Sequence, residues 1–138
     1  MKKSFIISAF IFTVLFSCSI VAQQQGSDKY EQKAKKAFNV ILTSLEHEVK
    51  GVVECTIYNA VLVKKYYPSA DFSGIIDKLN EIAVENPDPS MRVKAFLAAV
   101  YLNSSNIIDV IPDPDTFEHE YIYKQIAEQL RNKLLVSK

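Results

Sequence analysis

The sequence predicts an all-α protein of about five helices, arranged as stacked antiparallel helical hairpins with a C-terminal capping helix. Three observations carry that prediction. Apolar residues recur at helical spacing from Phe38 almost to the C-terminus. Only 3 Gly and 5 Pro interrupt 138 residues, too few for a strand-and-turn design. Two stretches of the chain also repeat each other's apolar pattern, which stacked hairpins produce. The composition, 49% hydrophobic and 23% charged, is that of a folded domain rather than a disordered tail.

The first residues read as an address. Lys2 and Lys3 precede an apolar run from Phe5 to Phe16, then small residues, then Gln23-Gln24-Gln25. That order is a secretory signal over 1–22, too short for an ordinary spanning helix. Cleavage after Ala22 leaves a polar tail over 23–29 and one helical domain over 30–138. Leu15-Phe-Ser-Cys18 also resembles a bacterial lipobox, with Phe16 an unusual member, so Cys18 is a lipidation candidate. The expected location is the periplasm or the exterior, with membrane contact only if Cys18 is acylated. After cleavage Cys55 is the remaining cysteine, and no internal disulfide is expected.

Phe38, Ile41, Leu42, Leu45 and Val49 form the stripe of a first helix, which Gly51 is expected to end. Val52 to Pro68 is apolar on more than one side: Val53, Ile57, Ala60 and Val61 on one face, Val52, Leu62 and Val63 beside it. Such a helix is usually sandwiched between others, and Pro68 stops it. Asp71 is placed to cap a third helix carrying Ile75, Ile76, Leu79, Ile82 and Ala83. Asn86-Pro-Asp-Pro89 breaks the chain, and Asp88 or Ser90 is placed to cap a fourth. That helix carries Met91, Ala95, Ala98, Ala99 and Leu102 on one face and Val93, Leu97 and Val100 on another. A loop follows whose Ile107, Ile108, Val110 and Ile111 are expected to touch the core. Asp115 and Glu118 have capping-box spacing before a last helix over about 116–136, with Ile122, Ile126, Leu130 and Leu134 in an i, i+4 row.

The repeat has a definite register. At an offset of 34, Phe38, Ile41, Leu42 and Leu45 meet Phe72, Ile75, Ile76 and Leu79. At an offset of 38, Val53, Ile57, Tyr58 and Ala60 meet Met91, Ala95, Phe96 and Ala98. The units are 37–68 and 71–103. The stretch Asn86-Pro-Asp-Pro-Ser-Met-Arg-Val-Lys-Ala95 resembles the HEAT-repeat pattern. Pro87 stands at the family's turn proline, Asn86 at its usual Asp, and Met91, Arg92 and Ala95 at its Val, Arg and first Ala. The first unit lacks the Asp-Pro turn and has Glu54 at the arginine position. The resemblance implies a short α-solenoid, a surface for a protein partner, and an Arg92 that bonds acidic residues in the turn, with Asp88 the nearest.

Little in the residues points to catalysis. His47 and His119 each sit between two glutamates, but helix neighbours at i±1 point apart, so no triplet converges on a metal. Cys55 as a nucleophile lacks a local signature, and its match with Val93 suggests a packing position. No phosphate-cradling glycine loop, GxSxG or HExxH occurs. The formal charge is zero, and loss of 1–22 leaves 14 basic and 16 acidic residues without a long basic run, so no nucleic acid is expected. Tyr58, Lys64, Lys65, Tyr66 and Tyr67 cluster on one helix and are the expected partner-binding surface. The sequence-based expectation is therefore an exported, non-catalytic interaction module that needs no cofactor or metal. The alternative is a small-molecule-binding or enzymatic helical protein with a cleft near the last helix, lined by His119, Cys55 and carboxylates.

Overall fold

A computed structural model of the chain describes residues 28–104 and 119–136. Within them every regular element is an α-helix: α1 (28–45), α2 (Lys50–Tyr66), α3 (Ser73–Glu85), α4 (Pro89–Asn103) and α5 (His119–Val136). The all-α expectation holds. No described helix is long and apolar enough to cross a membrane. The signal segment, Cys18, the loop isoleucines at 107, 108 and 111, and the Asp115 cap lie outside the described residues.

The chain divides into two units, Met1–Lys36 and Ala37–Lys138. Of the first, residues 28–36 are described. They are helical, so the expected tail over 23–29 gives way to helix by Asp28. The four lysines of these two and a half turns, Lys29, Lys33, Lys35 and Lys36, are exposed.

The second unit holds the core. Links 46–49 and 86–88 are both short, and the second folds α4 back on α3. α4 is the central helix, packing against α3, α2 and α5. Its small residues explain this: Ala95, Ala98 and Ala99 are buried and let neighbouring backbones approach. Ile57, Val61, Ile75, Leu79 and Ile126 are the large side chains most completely withdrawn from water. Each contributes roughly 1.5–3 kcal/mol of burial. From the rest of α1, Ile41 and Leu45 join this core, and the Phe38 ring lies 4.9 Å from the Phe72 ring.

Several helix ends differ from the sequence reading. Gly51 does not end α1; it lies in the first turn of α2. The break comes earlier, at Glu46–Val49, where Thr43 and Ser44 carbonyls accept from the Glu46 and His47 amides and His47 Nδ1 accepts from the Val49 amide at 3.0 Å. Val49, expected in the core stripe, is consequently exposed. Asp71 accepts the Ser73 amide at 2.9 Å as an Asx turn just ahead of α3, which holds its carboxyl below the usual range. Asp88 caps α4 as expected, taking the Ser90 amide at 2.8 Å, with Pro89 at the first helical position. The α5 row leaves the core after Ile126: Leu130 is half-buried and Leu134 is exposed, like all of 131–136.

Matched positions of the two hairpins have matched burial. Ile41 and Ile75, Leu45 and Leu79, Val53 and Met91, Ile57 and Ala95, and Ala60 and Ala98 are all buried. Leu42 and Ile76 are both half-buried, and Cys55 and Val93 are both exposed. Two pairs depart: Phe38 is half-buried where Phe72 is buried, and Tyr58 is 5% exposed whereas Phe96 is 49% exposed.

Candidate functional site

Three places collect chemistry-bearing side chains. The first is the junction of α2, α4 and α5. Lys94 lies in the second turn of α4, a mostly apolar helix, and is buried. Its Nζ donates to Glu54 Oε1 on α2 at 2.5 Å and pairs with Glu120 on α5, while standing 5.8 Å from the Tyr123 ring centre. Burial works against the ammonium, but Glu120 and Glu54 outweigh it and hold Lys94 above the ordinary lysine value. Glu54 is correspondingly held low, first by its bond from Lys94. The Tyr123 hydroxyl is buried and makes no hydrogen bond among the described residues. Burial first, then the charges of Glu54 and Glu120, push its phenol up. Through Lys94 and its two carboxylate partners the junction ties α2, α4 and α5 together.

The second place is the C-terminus of α4. Lys64 Nζ donates to the carbonyls of Tyr101 at 2.7 Å, Leu102 at 3.2 Å and Ser104 at 2.6 Å, and sits 4.8 Å from the Tyr101 ring centre. A cation here satisfies the orphan carbonyls of a helix end and meets its dipole. Burial pulls the Lys64 ammonium down from its usual value. An open cleft of about 430 Å³ adjoins it, lined by Lys64, Asp71, Phe72, Ile76, Asp77 and Asn103 among others. No α5 residue lines it.

The third place is the turn before α4. Arg92 Nη1 donates to the carbonyls of Asn86 at 2.8 Å and Pro87 at 3.3 Å, so it closes the turn through backbone, not through Asp88. Asp88 instead pairs with Lys50, which with the Ser90 amide holds its carboxyl low. Arg92 is structural, as the sequence suggested, with different partners.

The expected interaction cluster is not one surface. Tyr58 is buried and Lys64 is committed to the α4 carbonyls; Lys65 and Tyr66 remain exposed, with Tyr67 half-buried beside the Phe38 ring at 6.3 Å. Helical phase does not separate them, since 58 and 65 lie two turns apart on nearly the same face; position 58 is mid-helix in the core, whereas 65 and 66 lie in the exposed last turn of α2. Cys55, expected in a packing position, is exposed on α2, with Asn59 Nδ2 3.7 Å from its sulfur. His47 is spent on its turn, and the His119 side chain lies outside the described residues. Among the described residues no three metal-ligating side chains converge. Sequence reasoning missed Lys94; the signal was a lysine at a position between Val93 and Ala95 on a mostly apolar helix, which needs partners supplied by the fold.

No family model matches the sequence, and neither a curated protein nor a solved structure shows significant similarity to it.

Proposed function

We propose that the chain is an exported, non-catalytic helical-repeat module, its two hairpins stacked in HEAT-like fashion and presenting a surface to another protein. One observation carries the reading. The hairpins share a burial pattern, yet position 58 is covered in the first and position 96 is open in the second. Phe96 at 49% exposure and Val93 at 56% lie one turn apart on α4, an aromatic-bearing apolar face of the kind protein interfaces favour. Lys94, Lys64 and Arg92, the cations closest to the core, are all engaged in holding helices together, which supports a scaffold over an enzyme.

The test is capture from envelope extract with the exported protein, repeated with Val93→Asp/Phe96→Asp. The reading expects one reproducible protein whose recovery the double variant abolishes while helicity is retained. A partner captured equally by both proteins would remove the α4 face from the account. A second reading, a small-molecule-binding protein, is favoured by the cleft beside Lys64. Native mass spectrometry would separate the two: a co-purifying small molecule supports the second.

A further inference from the structure

The lysines that open α1 have no role in anything described so far. Lys29, Lys33 and Lys36 fall at i, i+4 and i+7, so they share about 60° of the helix circumference over about 10 Å of its length. All three are exposed, and no ion pair engages them among the described residues. The two acids of this unit's helical residues, Asp28 and Glu31, lie more than a quarter-turn away from that line. Lysines at i and i+4 repel each other, so a helix gains nothing from this pattern by itself.

The charge of the chain is segregated to match. Residues 28–36 hold four lysines against two acids, whereas residues 37–138 hold 10 basic and 14 acidic residues. A positive helix face is attracted to a negative plane. The stripe also begins 11 residues after Cys18 and 7 after Ala22, so either form of the exported protein carries it next to its N-terminus. An acylated Cys18 would place the stripe 11 residues from a membrane anchor.

We propose that the Lys29–Lys33–Lys36 face of α1 docks on an anionic lipid surface, as the electrostatic half of a two-part membrane attachment or, without acylation, as a weak reversible one. The lipid commitment rests on the export reading above, since an exported chain meets lipid headgroups and not nucleic acid. The partner is a plane of phosphate-bearing headgroups, read by charge and not by shape.

The test is flotation of the exported protein, purified from cells expressing the full chain, with phosphatidylglycerol-rich vesicles and with neutral phosphatidylcholine vesicles. Three surface lysines predict a preference for the anionic vesicles of about 100-fold, lost in raised salt. Lys29→Glu/Lys33→Glu/Lys36→Glu removes the preference, and the milder glutamine triple variant reduces it, both at unchanged helicity. Equal binding to the two vesicle types, or an anionic preference that survives charge reversal, overturns the proposal. So does a salt-sensitive dimer, seen by sedimentation, that the glutamate variant dissolves without any vesicle preference in the wild type. N-terminal sequencing of the same preparation reports export separately: a correctly processed protein that ignores anionic vesicles sinks the docking face and leaves export standing.

Discussion

Lys94 offers a contrast that ordinary intuition would order the wrong way. Its side chain is 8% exposed, whereas Glu54 and Glu120, its two partners, are 38% and 77% exposed. Removing the lysine therefore leaves two acids that water can reach. Removing both acids leaves a cation that water cannot reach. Breaking a buried pair from the wrong side costs about 3–5 kcal/mol, while replacing a buried ion by a hydrophobe of similar size is often close to neutral. Lys94→Met should accordingly cost about 1 kcal/mol or less, since methionine fills the space of the stem. Glu54→Gln/Glu120→Gln should cost about 3 kcal/mol, or roughly 10–20 °C in Tm for a domain of this size. Adding Lys94→Met to the double glutamine variant should restore most of that loss, because the stranded charge is then gone. Thermal and urea unfolding of the four proteins gives the comparison directly. If Lys94→Met proves the most damaging change, or the triple variant is no better than the double, then Lys94 is not held as a desolvated cation and the junction has been misread.

Other substitutions follow from the same geometry. Ile57→Ala empties a fully buried site and should cost about 2–5 kcal/mol, against about 0.5 kcal/mol for Phe96→Ala at the surface, both read from denaturant midpoints. Gly51 and Gly74 lie in first helical turns where an added Cβ meets nothing closer than Leu42 at 3.9 Å, so either change to alanine should stabilise by up to about 1 kcal/mol. Glu54 and Asp88 sit below their ordinary values of 4.5 and 3.8, through Lys94 and Lys50 respectively. Their contribution is present at neutral pH and disappears as pH falls through those ordinary values toward the folded ones, so Tm should decline on acidification, less steeply in Glu54→Gln. Tyr123 sits above its ordinary 10.0, so stability should be intact below that pH and fall above it; a Tyr123 that ionises with the exposed tyrosines, followed by phenolate absorbance, would contradict its burial.

The helices were legible because each buries one stripe at 3.6-residue spacing, and Ile41, Ile75, Leu79 and Ile126 lie where that spacing puts them. Turn chemistry was legible where a side chain of known habit stood alone, as at Asp88. It misled where two signals competed: Gly51 looked like a stop, but α1 already ends at 45 and His47 accepts the Val49 amide in the link that follows. Cys55 was assigned to packing by its match with Val93; the match held, but position 93 is itself exposed, so the inference failed at its second step. Tyr58 and Lys64 looked like surface because tyrosine and lysine usually are. Lys64 is instead drawn in by α4, 37 to 40 residues away in sequence, which supplies the carbonyls that it caps. The Lys94 junction needs three helices at once and has no local trace beyond one cation among alanines and leucines.

The central claim is that residues 37–68 and 71–103 are two copies of one packing unit, related by the single step of a stack. Residual dipolar couplings of the exported protein, measured on the backbone amides of α1 to α4, report helix directions independently of side-chain packing. The account predicts that one rotation carries the pair α1 and α2 onto the pair α3 and α4. Two hairpins with unrelated crossing angles, under the same alignment, would contradict it.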